Sequence, residues 1–319
     1  MFETPVLFIV FNRAETTQQV FNVIRRIQPK HLFISADGPR KDNPEDIEKC
    51  RNVRAIIADQ IDWECDLKTL YREQNSGCGI APSRAISWFF EQVDEGIIIE
   101  DDCLPHPDFF LFCSELLAKY RNNPMVLSIA GSNFQDGIKR GNASYYFSVY
   151  NRIWGWATWK RTWENYDYFL GNIDKNESKI IVKSLFRLFS ERMYWLKVYK
   201  CSKENQINNS AWDFQFMFLQ WKLGGFTITP NTNLISNIGY GEDATHTAWG
   251  ENDLNLNRSV EAIFPIDHPD KIERNRKADE YYFLKFIKPK SNYRNRIIRK
   301  TRKILNSILI RSLSKIHSE

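Results

Sequence analysis

Three consecutive carboxylates follow a short apolar run in the first third of the chain. Residues 97–99 are all isoleucine, and Glu100, Asp101 and Asp102 come directly after them. A buried strand does not tolerate three acids unless its carboxyl end opens into a site that holds a cation. We therefore predict that these acids lie at a strand end, where open α/β sheets bind their ligands. An ordinary acidic loop between a strand and a helix is the alternative.

Two earlier apolar segments also end in polar residues. Asn12 and Arg13 follow the first segment, and Asp37 and Gly38 follow the second. Helical apolar spacing lies between the segments, and a third short strand is predicted at residues 67–71. This alternation predicts an α/β fold with a mostly parallel, doubly wound sheet and helices on both faces.

A polar loop that contains glycine spans residues 72–84 and leads into a helix predicted from Arg84. Gly79 is one of its two central glycines, which allow a ligand to approach the backbone closely. The following helix would present its amino terminus to an anion such as phosphate. A plain turn is the alternative, because the loop lacks the glycine spacing of a Walker loop or of a GxGxxG motif.

Four tryptophans occur within ten residues around Gly155. Aromatic residues contribute heavily to hydrophobic cores, so this cluster is consistent with ordinary packing. The cluster is equally consistent with a platform for a sugar ring, formed by Trp154, Gly155 and Trp156. Residues 164–205, which follow it, have the apolar spacing of a helical scaffold.

A single acid, Asp213, follows Trp212 in an aromatic segment with helical character. Asp213 is predicted either to cap this helix or to be a catalytic carboxylate in a partly desolvated cleft. Further on, residues 237–246 form a polar loop that ends at His246 and is suited to close over a ligand. Trp212 and His246 are therefore candidate contacts of an acceptor or a sugar.

The charge of the chain is unevenly distributed. The sequence has 319 residues and a net charge of +5, but eleven Lys or Arg and one acid occur from Lys285 onward, so the body carries −5 and the tail +10. The six cysteines show neither zinc-binding nor disulfide spacing, and no stretch is long and apolar enough to span a membrane. With no signal-peptide pattern at residues 1–11, a cytoplasmic protein is predicted.

The tail, residues 288–317, combines basic residues with an apolar stripe at helical spacing. This pattern predicts an amphipathic helix that lies on the anionic inner face of a membrane. A coiled-coil homodimer is the alternative, because the spacing is close to a heptad. Binding to nucleic acid is not expected, since the acidic body would repel its backbone.

The order of these motifs resembles that of the GT-A glycosyltransferases related to N-acetylglucosaminyltransferase I. The most specific likeness is Glu-Asp-Asp at 100–102 followed by Pro-Asp-Phe-Phe at 107–110. The resemblance covers roughly residues 4–250 and implies the GT-A fold and a bound Mn²⁺ or Mg²⁺. In matching positions it implies that Asp102 binds the metal and that Asp213 is the catalytic base. The nucleotide and donor sugar would contact Asn12, Arg13, Asp37, Gly38, Gly79, Arg84, Glu100 and Asp101.

The function predicted on this basis is that of an inverting, metal-dependent glycosyltransferase in surface-polysaccharide biosynthesis. Its donor would be a nucleotide sugar, such as a UDP-sugar of the UDP-N-acetylglucosamine type, and its acceptor a glycan or a lipid-linked sugar. Alternatives are a sugar-nucleotide nucleotidyltransferase and a non-catalytic carbohydrate-binding protein. The predicted domains are a transferase domain at 1–286 and a tail at 287–319. The transferase domain would comprise a nucleotide-binding half at 1–130 and an acceptor-side half at 131–286.

Overall fold

The computed structural model describes residues 1–204, 211–239 and 263–288. The chain divides into two units, Met1–Tyr282 and Phe283–Glu319. The described part of the second unit contains one short π-helical segment, Phe283–Ile287. The predicted amphipathic tail lies outside the described residues, and the domain boundaries at 130 and 286 remain predictions.

One large sheet organises the first unit. Eight strands follow the order β3-β2-β1-β4-β8-β6-β9-β7, and β5 pairs separately with β10. Neighbouring strands from β3 to β4 are parallel, whereas β8 is antiparallel to both β4 and β6. The strands are β1 (Val6–Val10), β2 (His31–Ala36), β3 (Asp66–Tyr71), β4 (Glu95–Glu100), β5 (Cys103–Pro105), β6 (Val126–Ala130), β7 (Tyr145–Ser148), β8 (Trp156–Trp159), β9 (Phe226–Pro230) and β10 (Ile235–Asn237).

Helices cover the sheet on both faces, which confirms the predicted α/β fold with a mostly parallel sheet. One core contains apolar residues of the first, second and fourth helices, and the other contains residues of the third, fifth and eighth. The helices are α1 (Ala14–Ile27), α2 (Glu45–Gln60), α3 (Gly77–Phe90), α4 (Pro107–Tyr120), α5 (Lys160–Trp163), α6 (Lys175–Leu185), α7 (Phe189–Glu204), α8 (Asp213–Leu223) and α9 (Arg276–Tyr282).

The register of the parallel strands brings their polar ends together. Ile9 on β1 is opposite Glu100 on β4, and Val10 is opposite Ala36 on β2. Each strand therefore ends at the same edge of the sheet, where the next residues of the chain leave it. The predicted convergence of the residues after β1, β2 and β4 follows from this register.

The structure differs from the sequence-based prediction in two places that affect the site. Helix α3 begins at Gly77, so the segment predicted as a loop up to Arg84 includes the first turns of the helix. Residues 156–159 form β8, an antiparallel strand in the middle of the sheet. Pairing of Trp156 with Ile98 over a long sequence separation creates this strand, and a local pattern does not reveal such pairing.

Within the described ranges, no helix is long and apolar enough to cross a membrane.

Candidate functional site

Arg13 joins the end of β1 to the acids that follow β4. Its Nη1 donates a hydrogen bond to Asp102 Oδ2 at 3.0 Å, and its Nη2 forms an ion pair with Asp101. The main-chain N–H of Phe11 donates to the second oxygen of Asp101 at 3.1 Å. Burial lowers the pKa of Arg13, but the neighbouring Asp101 and Asp102 outweigh this effect and raise it. One guanidinium thus holds two of the three predicted acids in place.

Glu100 is the least neutralised of the three acids. It follows Ile98 by two residues, so its side chain points to the sheet face that α3 and α8 cover. Its Oε1 is buried and accepts no hydrogen bond from any residue of the described ranges. Burial raises the pKa of Glu100, and the charges of Asp102 and Asp101 raise it further. A ligand hydroxyl or a cation near Oε1 would give this buried oxygen the partner that it lacks.

The Asp37 carboxylate is hydrogen-bonded to the start of α3 and is not exposed to solvent. Its carboxylate accepts hydrogen bonds from the main-chain N–H groups of Ser76 and Gly77 at 3.0 and 3.1 Å, and from the Asn75 side chain at 3.0 Å. These bonds satisfy donors that a helix start leaves unpaired. Gly38 is required beside it, because a Cβ there would lie 2.4 Å from Gln74 N. The predicted phosphate-binding helix terminus is therefore already contacted by a carboxylate.

A cleft of about 400 Å³ opens between the ends of β1, β2 and β4 and the first turns of α3. Its walls include the predicted residues Asn12, Arg13, Asp37, Glu100 and Asp101. Three guanidinium groups line it, because Arg40 and Arg72 join Arg13 there. The volume falls in the range of small-molecule sites. Paired acids and clustered arginines suit an anionic ligand that carries a cation.

Sequence reasoning missed Arg40 and Arg72. Arg72 follows β3 immediately, so the rule that identified residues at the ends of β1 and β2 also applies to it. Arg40 is held by Asp46, which accepts from its Nε at 2.6 Å and from Asn12 Nδ2 at 2.8 Å. Hydrogen bonding to Arg40 lowers the pKa of the buried Asp46 to about 2. No sequence signal marks that pairing.

Two residues predicted to contact the nucleotide have other positions. Gly79 is buried within the first turn of α3, where its neighbours Gly77 and Cys78 line the cleft. Arg84 is exposed and lies in a separate cavity of about 310 Å³. Both residues lie within α3, and the helical period gives them other directions than the residues of the same helix that line the cleft.

Asp213 reaches the acid cluster from a distant part of the sequence. It is the first residue of α8, and its charge contributes to raising the pKa of Glu100, after burial and the two neighbouring acids. The N-cap position belongs to Trp212, whose side chain forms no capping hydrogen bond within the described part of the chain. Asn151 Nδ2 donates to the main-chain oxygen of Asp213 at 3.2 Å. Trp212 and Phe216 pack in the same core as Ile98, so α8 covers the sheet face to which Glu100 points.

The tryptophans predicted as a sugar platform are mainly core residues. Trp156 and Trp212 are 1% and 3% exposed and stack on each other, with ring centroids 5.7 Å apart. Trp154 is half-buried against Phe134. Gly155 has φ +57°, and a Cβ there would lie 2.4 Å from Ile235 Cδ1. Packing therefore accounts for Trp156 and Trp212, because neither ring has an exposed face for a sugar. Packing against Ile235 likewise accounts for Gly155.

Gly239 lies directly against the acid cluster. A Cβ at this position would be 2.4 Å from Asp102 Oδ2 and 2.7 Å from Arg13 Nη1. The preceding N–H of Ile238 donates to the main-chain oxygen of Asp102 at 2.7 Å. The chain after β10 thus covers Asp102 closely enough to exclude a side chain. His246, further along, lies outside the described residues.

The donor set fits a divalent cation that takes most of its ligands from substrate and water. Carboxylate oxygens suit Mn²⁺ and Mg²⁺, and Mg²⁺ often uses only one or two carboxylates together with phosphates. Asp102 and the unpaired Glu100 Oε1 provide such oxygens. Among the residues that the structure describes, no group of three or more His, Cys, Asp or Glu side chains could hold a metal alone.

No protein-family model and no curated protein matches the sequence. Among solved structures, the chain is similar to the mannosyltransferase PcManGT from Pyrobaculum calidifontis in complex with GDP-Man and Mn²⁺, with 12% identity, 70% of each chain covered and a TM-score of 0.37. A cytidylyltransferase from Leptospira borgpetersenii has 10% identity over 65% of this chain and 74% of its own, with a TM-score of 0.33. These similarities are too distant to carry an argument about the site.

Proposed function

We propose that this protein is a metal-dependent, inverting glycosyltransferase that uses a nucleotide-sugar donor. Two adjacent parts of the site support the proposal, one rich in arginine and the other in carboxylates. One is the cleft with Arg13, Arg40 and Arg72, whose chemistry suits a diphosphate. The other is the acid cluster at the end of β4, which suits a cation and a proton acceptor.

The observation that carries the proposal is the excess of negative charge around Glu100. Burial raises the pKa of Glu100, the charges of Asp102, Asp101 and Asp213 raise it further, and the charge of Arg13 lowers it. Buried carboxylates in such excess are stable only if they are protonated or if a cation joins them. A cation that arrives with a diphosphate satisfies both the acids and the adjacent arginines.

Each group then has a role in transfer. The arginines bind the diphosphate, while Glu100 and Asp101 hold the ribose and the donor sugar. Asp213 accepts the proton of the acceptor hydroxyl, whose oxygen forms the new bond to the anomeric carbon. The old bond breaks on the opposite side, and its electron pair leaves with the nucleoside diphosphate, so the configuration inverts. Asp102 would hold Mn²⁺ or Mg²⁺, which stabilises the charge of that leaving group.

A donor screen tests the proposal. UDP-, GDP-, CMP- and dTDP-sugars are incubated with the protein and Mn²⁺, and the products are identified by chromatography. Release of nucleotide that stops in EDTA is expected, with a UDP-sugar as the preferred donor. Formation of sugar nucleotide and pyrophosphate from a nucleoside triphosphate and a sugar 1-phosphate would instead identify a nucleotidyltransferase. Sugar binding without either reaction would identify a carbohydrate-binding protein.

The proposed setting is surface-polysaccharide synthesis at the inner face of the membrane, with a glycan or lipid-linked acceptor. The basic tail supports this proposal through its sequence alone. Truncation after residue 286 is expected to release the protein from anionic liposomes while transfer to a soluble acceptor continues. Continued sedimentation with liposomes would contradict a membrane role, and loss of a dimer would favour the coiled coil.

A further inference from the structure

A second cavity lies against other residues of α3 than the arginine-lined cleft, although its Arg84 is near enough to Arg72 of the cleft for its charge to lower the pKa of Arg72, whose largest shift comes from burial. It has a volume of about 310 Å³ and is formed by Ile80, Ser83 and Arg84 of α3 and by the segment 166–169. We call it the α3 groove. The cleft uses Cys78, Ala81 and Pro82 of the same helical turns. One helix therefore separates two cavities, each large enough for a small ligand.

The α3 groove lies beside the proposed base. Tyr166 donates a hydrogen bond from its hydroxyl to the main-chain oxygen of Trp212 at 3.0 Å, directly before Asp213. Burial raises the pKa of Tyr166, and the charge of Asp213 raises it further. Gln215, in the first turn of α8, donates to the main-chain oxygen of Tyr168 at 3.2 Å. A ligand in the groove would thus be close to Asp213 without entering the cleft.

Arg84 gives the groove its charge. The side chain is exposed, and no hydrogen bond or ion pair joins it to another residue of the described ranges. Asp167, the acid in the groove wall, instead accepts from the main-chain N–H groups of Phe169 and Asn172 at 2.9 and 3.2 Å. Because Asp167 holds its own loop, the guanidinium remains able to bind a ligand oxygen in bidentate fashion.

Phe169 adds an apolar surface to this charge. Its side chain is 51% exposed, whereas Tyr166 and Tyr168 beside it are half-buried. An exposed aromatic face beside a guanidinium suits a ring with a hydrophobic face and an anionic substituent. A sugar that carries a carboxylate or a phosphate has both features.

We propose that the α3 groove is an acceptor subsite that binds a sugar unit with an anionic group, with the anion on Arg84 and the sugar face on Phe169. This inference rests on the proposed transferase function, and it assigns Arg84 to the acceptor rather than to the nucleotide. A glucuronic acid residue and a sugar phosphate share the required chemistry.

Ligand-observed NMR on the full-length protein tests the assignment with methyl glucuronide, glucose 6-phosphate and methyl glucoside as probes. We expect one or both anionic probes to bind about tenfold more tightly than the neutral glucoside. Preference for the glucuronide alone indicates a uronic acid acceptor, and preference for the phosphate alone indicates a phosphorylated one. Arg84→Gln should abolish the preference, Arg84→Lys should restore part of it, and Phe169→Ala should weaken all three probes.

Arg26→Gln, at an exposed arginine near the end of α1, is the matched control and should change nothing. Equal or absent binding of all three probes at tens of millimolar would overturn the proposal. So would an Arg84→Gln variant that weakens binding of UDP but leaves probe binding unchanged, because Arg84 would then belong to the donor site. Probe binding without any donor turnover would refute the transferase function while leaving the groove in place.

Discussion

Arg13 Nη1 lies 3.0 Å from Asp102 Oδ2, so the residue proposed to bind a metal is already paired with a cation from the neighbouring strand. The same guanidinium contacts Asp101. Asp102 is 17% exposed on its side chain, whereas Asp101 is 3% exposed. A divalent ion can therefore approach Asp102 more easily than Asp101. Arg13 can remain paired with Asp101 while its guanidinium turns towards a diphosphate. This pairing leads to the first prediction.

Asp102→Asn should lower Mn²⁺-dependent turnover by about 100-fold or more, because a neutral amide cannot balance the charge of the cation. Turnover and nucleotide affinity are measured across a Mn²⁺ titration. Asp62→Asn is the control, since Asp62 is an exposed partner of Arg25 far from the cleft. Full activity of Asp102→Asn, or full wild-type activity in EDTA, would refute the metal role.

Asp213→Asn should reduce turnover by about 100-fold or more while donor affinity changes little, because a base acts on the acceptor proton. Steady-state kinetics and a donor-binding titration separate these two effects. A melting curve serves as the control for folding, because Asp213 is the acid in the first turn of α8 and its charge favours the helix N-terminus. If folded Asp213→Asn retains normal turnover, the base is another residue, and the next candidates are Glu242 and Asp243, the two acids of the predicted polar loop at residues 237–246.

Gly239→Ala should impair metal-dependent turnover by displacing Asp102 or Arg13, because the added Cβ would lie 2.4 Å from the carboxylate. The metal concentration for half-maximal activity should rise. Gly225→Ala is the matched control: its Cβ would meet Leu127 at 2.5 Å, in the core and away from the acids. It should lower the melting temperature but preserve the metal dependence. Equal metal dependence in both variants would show that Gly239 has no specific role.

Glu191 should make the free energy of unfolding fall as pH rises from about 4.5 to about 7. Burial raises its pKa from 4.5 to about 7, and the hydroxyl of Tyr150 donates to it at 2.5 Å. In this pH range Glu191 is ionised in the unfolded chain but still protonated in the folded state. The free energy of unfolding therefore falls by up to about 3 kcal/mol. Urea unfolding at several pH values measures the slope.

Glu191→Gln should remove this part of the pH dependence, because the amide carries no charge but can still accept the Tyr150 hydrogen bond. Glu204→Gln, at an exposed residue of the same helix, should leave the slope unchanged. An unchanged slope in Glu191→Gln would mean that other groups cause the pH dependence.

The sequence alone determined strands β1 to β4 and the edge of the sheet at which the polar residues after them meet. Apolar runs that end in Asn12, Asp37 or Glu100 predict buried parallel strands, and parallel strands place their carboxyl ends together. These features depend on local composition and on a general rule of sheet geometry. Single-sequence reasoning therefore identified these features, and the same rule would also have identified Arg72. The assignment of Asp213 as the base stays a prediction.

Only the tertiary structure decided how these residues are paired and which aromatic rings are exposed. Arg13 contacts Asp101 and Asp102 across about ninety residues of sequence. Asp37, which follows β2, contacts Ser76 and Gly77 at the start of α3. The insertion of β8 beside β4 buries Trp156, which the local sequence does not distinguish from an exposed platform. Burial and pKa depend on the segments that cover a side chain, and long-range packing alone brings those segments into contact.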